Sequence, residues 1–173
     1  LSSTRRSSDL EQNTDVLGPN YRNRRYFAAN VWKERPILRQ FLFSDLMAEI
    51  CRATTGPEAY LFYEQYVIKC ADKGMKFSWH QDSGYVGYEH TPYLTCWIPL
   101  DDVSEANGTV YLLPYSQTGI RTMVKHVRDP NNNNDMVGYF GSHRGVPIVA
   151  PAGSIACFSS LVFHCSGSNL NSN

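Results

Sequence analysis

The stretch Met75-Lys76-Phe77-Ser78-Trp79-His80-Gln81-Asp82 decides the fold prediction. Its aromatic and apolar first half is typical of a β-strand. Side chains two residues apart on a strand point to the same face, so His80 and Asp82 are expected to project together. Gly84 and Gly87 follow and are expected to end the strand just beyond this pair.

A third candidate ligand, His164, lies in a second apolar stretch, Leu161–Cys165. Two imidazoles and one carboxylate form the ligand set that holds a non-haem Fe(II) on one face and leaves the other face open. This pattern makes His80, Asp82 and His164 candidate ligands of an iron site, although the short His-x-Asp motif is weak evidence by itself. The alternatives are a surface ion pair between His80 and Asp82 and a hydrogen-bonded core histidine at position 164.

The composition bounds the class of protein. A chain of 173 residues is long enough for one domain, 1–173, with a sizeable core. Its 16 acidic and 16 basic residues give no net field that would favour nucleic acid or an anionic membrane. No apolar run approaches the ~20 residues that span a bilayer. We therefore expect neither a nucleic-acid nor a membrane partner; the oligomeric state is left open.

The five cysteines are scattered and include no Cys-x-x-Cys pair. This argues against a zinc ribbon and a disulfide framework, and favours reduced thiols in an intracellular, cytoplasmic setting. The sequence begins with Leu1 rather than Met, so we expect the native N-terminus to be missing and organellar targeting cannot be judged.

Three regions differ in texture. Residues 1–30 are polar and basic and are interpreted as an arm or loop, residues 36–56 as one amphipathic helix, and residues 59–173 as a β-barrel core. The predicted strands are 59–70, 75–79, 93–100, 109–113, 146–149, 154–158 and 161–165. Asn131–Asn134 is expected to be an exposed loop or lid. Short strands with frequent turns indicate an antiparallel sandwich or barrel, and jelly-roll wiring would bring His164 beside His80.

With the strands placed, Phe77–Ser83 and Thr95–Asp102 resemble the phytanoyl-CoA dioxygenase family. Asn107-Gly108, Leu113–Ser116 and His164–Asn169 agree in the same order, and the resemblance covers about residues 60–173. It implies a mainly β, double-stranded β-helix (a jelly-roll or cupin-like barrel) with one or more N-terminal helices packed outside. The implied activity is that of an Fe(II)- and 2-oxoglutarate-dependent oxygenase.

The resemblance also implies roles for individual residues. His80, Asp82 and His164 would be the catalytic iron ligands, and a carboxylate at position 82 favours hydroxylation over halogenation. Gln65, Trp97 and Ser166 match positions near the 2-oxoglutarate pocket. Their ordinary interpretations are a polar strand residue, a core residue and a turn residue.

The implied reaction uses Fe(II), 2-oxoglutarate as co-substrate and O2, with ascorbate as a supporting reductant. It hydroxylates an unactivated C–H of a small organic substrate, an acyl-CoA or another metabolite, and releases succinate and CO2. The alternatives are a non-catalytic metal-binding jelly roll, such as a sensor or degenerate paralogue, a cupin-type enzyme of another class, and a structural or carbohydrate-binding jelly roll.

Two features depart from the family pattern. Pro114-Tyr115-Ser116-Gln117 stands where the family usually has Gly and then Ser-His after the proline. The family's arginine for the distal carboxylate of 2-oxoglutarate falls about eleven residues after the distal histidine, near position 175, and the chain stops at Asn173. Arginine is well suited to bind a carboxylate through two hydrogen bonds. Either the sequence ends early or the chain is not a working 2-oxoglutarate enzyme. Because the family pattern also calls for a final barrel strand, we expect a truncated C-terminal strand.

Several further residues are candidates for the surroundings of the site. Aromatic residues expected at a pocket wall are Tyr85, Tyr88 and the Tyr139-Phe140 pair. A cationic cluster, which is either an exposed loop face or a contact for an anionic substrate, comprises Arg121, Lys125, His126 and Arg128. His90 and His143 are expected at the surface.

Overall fold

The computed structural model describes residues 25–70, 76–130 and 135–171, and strands predominate among its regular elements. The chain forms two compact units, Leu1–Cys70 and Ala71–Asn173, each with its own strand pairing. The mainly β class is confirmed. The assignment of all 173 residues to a single domain stays a prediction.

The first unit contains one antiparallel pair of strands. β1 (Arg25–Ala29) pairs with β2 (Gln65–Lys69) over five residue positions. The prediction of an arm or loop over residues 1–30 is therefore wrong for 25–29, because these residues pair with β2. Residues 1–24 lie outside the described residues. The strand predicted over 59–70 is confirmed only for the part that pairs with β1.

The helix predicted over residues 36–56 is two helices in the structure. α1 spans Pro36–Leu42 and α2 spans Asp45–Thr54. Ser44 separates them: its backbone is extended, and its hydroxyl accepts a hydrogen bond from the Met47 backbone N–H at 3.4 Å. Such a cap satisfies a backbone donor that has no partner within the helix. The single-helix prediction was wrong because the apolar positions keep their helical spacing across the cap.

The second unit holds the remaining strands. They are, in chain order, β3 (Phe77–His80), β4 (Leu94–Trp97), β5 (Val110–Leu113), β6 (Val127–Asp129), β7 (Asp135–Val137), β8 (Val146–Pro147), β9 (Ala156–Ser159) and β10 (Phe163–Ser166). The largest sheet has the order β3-β10-β5-β8, and β4-β9 and β6-β7 form separate pairs. All pairings are antiparallel. A short helix, α3 (Tyr115–Thr118), follows β5.

The six strands predicted between residues 75 and 165 are confirmed in part: all are shorter than predicted, and β3, β9 and β10 end one residue later than predicted. The β6-β7 pair was missed, because three residues with an aspartate in each strand give little alternating pattern. The predicted loop Asn131–Asn134 lies outside the described residues. Among the described residues, the apolar core of this unit consists of buried side chains on β5, β7, β9 and β10, namely Leu113, Val137, Phe158 and Phe163.

Candidate metal centre

His80 and His164 meet because β3 and β10 are neighbours in the largest sheet. The two residues are direct register partners, and the centroids of their rings lie 4.2 Å apart. Both imidazoles are buried. The expected convergence of two histidines that are distant in sequence is thus present.

Asp82 completes the cluster from just beyond β3. The strand ends at His80, Gln81 remains extended, and Asp82 begins a 3-10 turn that reaches Tyr85. The Oδ1 atom of Asp82 lies 3.4 Å from His164 Nε2 and 3.9 Å from His80 Nε2. One donor atom from each of the three residues lies within 4.8 Å of the other two. This spacing fits a single metal ion at the centre of the three donors.

Backbone carbonyls set the tautomer of both histidines. His80 Nδ1 lies 2.7 Å from the Ser78 carbonyl, and His164 Nδ1 lies 3.0 Å from the Val162 carbonyl. A carbonyl only accepts, so each Nδ1 carries the hydrogen and, in the neutral ring, the Nε2 lone pair faces Asp82. Metal-binding histidines in proteins commonly donate their other ring N–H in this way. The chemistry of the donor set therefore fits a divalent first-row metal.

The cluster also favours the protonation states that ligation needs at two of its three members. Burial, together with nearby His164, lowers the pKa of His80 to about 3. Burial alone would raise the pKa of Asp82, but the hydrogen bond and positive charge of His164 outweigh it and hold that pKa below its ordinary value. Burial likewise opposes protonation of His164, yet its bond to Asp82 prevails and raises the pKa of His164. Metal binding would therefore compete with protonation at His164.

The facing pair of strands supports two of the three ligands. Thr95 on β4 donates its hydroxyl hydrogen to Asp82 Oδ2 at 2.7 Å. Its register partner on β9, Phe158, packs on His164 with ring centroids 5.0 Å apart. Thr95 was missed at the level of sequence, because a threonine in a strand carries no sign of its partner. The metal centre therefore lies between the largest sheet and the β4-β9 pair.

Gln81, the residue between two of the ligands, is fully buried and was also missed. Its side-chain amide donates to the carbonyls of Thr122 at 3.0 Å and Leu161 at 2.7 Å. Its side-chain oxygen accepts from the backbone N–H of Val124 at 3.0 Å. One carboxamide thus joins the His80–Asp82 segment to a loop and to the turn before His164.

His126 is not part of an exposed cationic cluster, as one interpretation had it. Its ring is half-buried, its Nδ1 lies 2.9 Å from the Val124 carbonyl, and its Nε2 accepts the Gln81 backbone N–H at 3.0 Å. A Cβ atom on Gly84 or Gly138 would come within 2.6 Å and 2.5 Å of the ring, respectively, so both glycines leave it room. Burial lowers the pKa of His126, which makes it a neutral structural residue.

Of the other residues predicted at the surface, four are exposed and one is not. Arg121, Lys125 and Arg128 are exposed, the first two in a loop and Arg128 on β6, and His143 is exposed as predicted. His90 is partly buried instead: its Nε2 lies 3.0 Å from the Ser83 hydroxyl, so the surface prediction was wrong for it.

The predicted 2-oxoglutarate contacts occupy three different settings. Gln65 is an exposed residue at the start of β2, in the first unit. Trp97 ends β4 and is half-buried opposite Ala156. Ser166 is buried on β10, two residues beyond His164, and accepts the Phe77 backbone N–H at 3.3 Å. Their roles toward the co-substrate stay predictions.

Of the predicted wall residues, Tyr85 contacts the metal cluster. Its ring packs edge-on against His80 at a centroid distance of 5.2 Å. Tyr88 and Phe140 are 64% and 75% exposed. Tyr139 packs on Trp79 and Phe163, the two residues that precede His80 and His164 along their strands. It therefore belongs to the packing of the sheet's other face.

A surface cavity of about 940 Å³ lies beside the same strands. Its lining includes Trp79, Tyr139, Arg144 and Ser166, but none of the three candidate ligands. We therefore do not assign it to the metal centre. Among the described residues, no helix is both long and apolar enough to cross a membrane.

Comparison with known proteins places this arrangement in a family. The family model for phytanoyl-CoA dioxygenase (PhyH) matches residues 4–173, and the chain belongs to that family. Ectoine dioxygenase from Bordetella parapertussis is 26% identical over 156 residues, which cover 79% of this chain and 50% of that protein. Its counterpart from Bordetella bronchiseptica gives the same figures. The chain thus spans about half the length of the curated relatives it matches.

Solved structures agree on the fold. EvdO2 from Micromonospora carbonacea var. aurantiaca, complexed with 2-oxoglutarate, superposes with a TM-score of 0.67 at 18% identity. The superposition covers 85% of this chain and 62% of the EvdO2 chain. The epimerase SnoN, in complex with Fe3+, alpha-ketoglutarate and nogalamycin RO, gives a TM-score of 0.66 at 18% identity, covering 86% and 59%. At this identity the likeness establishes the fold.

Proposed function

We propose that this chain carries the iron site of an Fe(II)- and 2-oxoglutarate-dependent dioxygenase. The enzyme would hydroxylate an unactivated C–H of a small organic substrate and release succinate and CO2. The observation that carries the proposal is the convergence of His80, Asp82 and His164, with both Nε2 atoms directed at one carboxylate. Membership of the phytanoyl-CoA dioxygenase family supports it.

The three ligands would hold Fe(II) on one face and leave the other face for co-substrate and O2. The bound iron would supply the activation of O2, coupled to oxidative decarboxylation of 2-oxoglutarate. The contribution of the chain itself is geometric and electrostatic. The Ser78 and Val162 carbonyls fix the tautomers of the ligand histidines, and Thr95 fixes the carboxylate. Such supporting bonds typically change metal affinity by about 10–100-fold.

Exclusion of water is a second contribution. Tyr85 covers one side of His80, and Phe158 covers His164. These rings shield the ligands without placing a competing donor on the metal. Gln65, Trp97 and Ser166 remain our proposed contacts for 2-oxoglutarate. The barrel would be a double-stranded β-helix in which the largest sheet and the β4-β9 pair enclose the metal.

The substrate class is a small metabolite. Two relatives are ectoine dioxygenases, and one structural neighbour is an epimerase complexed with nogalamycin RO. The family name points to an acyl-CoA. The relatives and the family name thus point to different metabolites within this class. Ascorbate is proposed only as a supporting reductant.

The decisive experiment measures succinate formed from 2-oxoglutarate with Fe(II), O2 and ascorbate. It is run on this chain alone and with any residues that follow Asn173 in its gene. We expect succinate above the metal-free background, and none from Asp82→Ala. If the protein binds Fe(II) tightly but neither form makes succinate, the non-catalytic metal-binding alternative is correct. Equal succinate from Asp82→Ala would show that the proposed iron site is wrong.

A further inference from the structure

Two cysteines face each other across the β4-β9 pair. Cys96 and Cys157 are direct register partners, and their sulfur atoms lie 3.8 Å apart. Cys157 is exposed and Cys96 is half-buried. The pair is thus open to a small reagent from one side.

The backbone separation suits a covalent bridge. Directly opposed residues of an antiparallel pair have Cα atoms about 4.5–5.5 Å apart. Disulfides use Cα separations of about 4.4–6.8 Å and a bond of about 2.05 Å. Side-chain rotation can therefore bring the two sulfurs together while the strands stay paired. We propose that Cys96 and Cys157 form a modification site that a peroxide oxidises to a disulfide.

The exposure of the two thiols sets the order of the steps. Hydrogen peroxide oxidises Cys157 to a sulfenic acid: an S–O bond forms, the O–O bond breaks, and one water leaves. The Cys96 thiol then attacks the Cys157 sulfur, so an S–S bond forms, the S–O bond breaks, and a second water leaves. In total the thiols lose two electrons and two protons, and the peroxide is reduced to two waters.

The bridge would lie behind the metal centre. Side chains alternate along a strand, so the cysteines point away from the face that carries their neighbours Thr95 and Phe158. Those neighbours contact Asp82 and His164. Oxidation would therefore join the two strands that support these ligands without placing a thiol among them. The bridge stands independently of the proposed oxygenase function.

Peptide mapping tests the proposal. The chain, purified under reducing conditions and treated with a small excess of hydrogen peroxide, is alkylated and digested with trypsin without reduction. Cleavage after Lys76, Arg121 and Arg144 places Cys96 in residues 77–121 and Cys157 in a peptide that starts at position 145. We expect these two peptides joined, at two hydrogens below their summed mass, and separated again by dithiothreitol.

Matched variants assign the bridge. The peptide from position 145 also contains Cys165, so fragmentation between Phe158 and Phe163 must show which cysteine is linked. Cys157→Ser and Cys96→Ser should each abolish the cross-link, and Cys165→Ser should retain it. The oxidised chain should also unfold at a higher temperature than the reduced chain, because the bridge closes a long loop. Sulfinic acid at Cys157 with no cross-link, or a link to Cys165, would overturn the proposal.

Discussion

Two pairs of histidines in the second unit make the same hydrogen bond at Nδ1 and differ in the partner of Nε2. His80 and His164 place Nδ1 on the carbonyl two residues earlier, and so do His90 and His126, at distances of 2.7–3.0 Å. The ligand pair directs Nε2 at Asp82. The other pair directs Nε2 at the Ser83 hydroxyl and at the Gln81 backbone N–H.

The difference shows that a hydrogen bond from Nδ1 to a backbone carbonyl does not by itself make a histidine a candidate metal ligand. In all four histidines, the carbonyl two residues earlier fixes the tautomer, because a carbonyl only accepts and Nδ1 must donate. What separates the two pairs is the partner of Nε2: an anionic oxygen shared by two rings in one case, and an uncharged group, a hydroxyl or a backbone N–H, in the other. Substitutions at both pairs and at their supporting residues can test whether the partner of Nε2 decides which histidines bind a metal.

Removal of a ligand should have the largest effect. His80→Ala, Asp82→Ala or His164→Ala each removes one of three donors. Because groups that only support a ligand are worth about 10–100-fold in affinity, we expect losses above about 100-fold. Titration with Co(II), followed by its optical spectrum, measures this. His143→Ala, an exposed histidine, is the control and should bind like the wild type. Wild-type Co(II) affinity in all three variants would show that these residues do not hold the metal.

Gln81→Ala should have the next largest effect, on stability. The substitution removes the side-chain partner of three backbone groups, the carbonyls of Thr122 and Leu161 and the N–H of Val124. Thr122 is exposed and water can replace its partner, whereas the half-buried Leu161 and Val124 each lose a hydrogen bond at a cost of about 1–3 kcal/mol, so the free energy of unfolding should fall by about 2 kcal/mol or more. Urea unfolding measures it. Gln117→Ala, at an exposed glutamine, should change stability by less than about 0.5 kcal/mol.

Thr95→Val tests whether the carboxylate needs its support. The substitution keeps the shape of the side chain but removes the donor to Asp82 Oδ2. We expect about tenfold weaker Co(II) binding, in line with other partners of metal ligands. Thr95→Ser retains the hydroxyl and should bind within a few-fold of the wild type. Equal affinities for the valine and serine variants would mean that Asp82 is held by the two histidines alone.

Much of this site could be predicted from residue types, and some of it could not. The ligands were recognisable because a His-x-Asp pair after a strand and a later strand histidine form a known donor pattern. Gln81 and Thr95 were not, because their roles depend on backbone groups far away in sequence. His126 was wrongly grouped with its cationic neighbours, since sequence shows the basic residues around it but not Gly84 and Gly138, which leave room for its ring.

The fold shows the same division. Short runs of aromatic and apolar residues between turn residues located the central strands, while Ser44 and the β6-β7 pair were missed. The break at Ser44 depends on one hydrogen-bonded cap, and the β6-β7 pair depends on a short strand pairing; neither follows from periodicity. Local pattern therefore predicted the elements, and partner-dependent contacts set their ends.

His126 offers a finer test through its two bonds. His126→Gln can keep an acceptor near the position of Nε2, whereas His126→Asn can keep a donor near Nδ1. If the bond to the Gln81 N–H positions the ligand segment, the glutamine variant should bind Co(II) within about twofold of the wild type. The asparagine variant should bind several-fold more weakly. The opposite order would show that the Val124 bond matters more.

The smallest expected effect is on the pH dependence of stability. Burial lowers the pKa of His126 below its ordinary value of 6.5, so the unfolded chain takes up a proton there more readily than the folded chain. This contribution to stability is complete above pH 6.5 and is lost as the pH falls through the lowered pKa. His126→Gln does not titrate, so its disadvantage relative to the wild type should shrink between pH 7 and 5. Urea unfolding at several pH values measures the difference. His80 contributes acid sensitivity in both proteins, and the charge of His126 is only the smallest of the causes that lower the pKa of His80. Parallel curves would therefore mean that His126 is not held neutral by the fold.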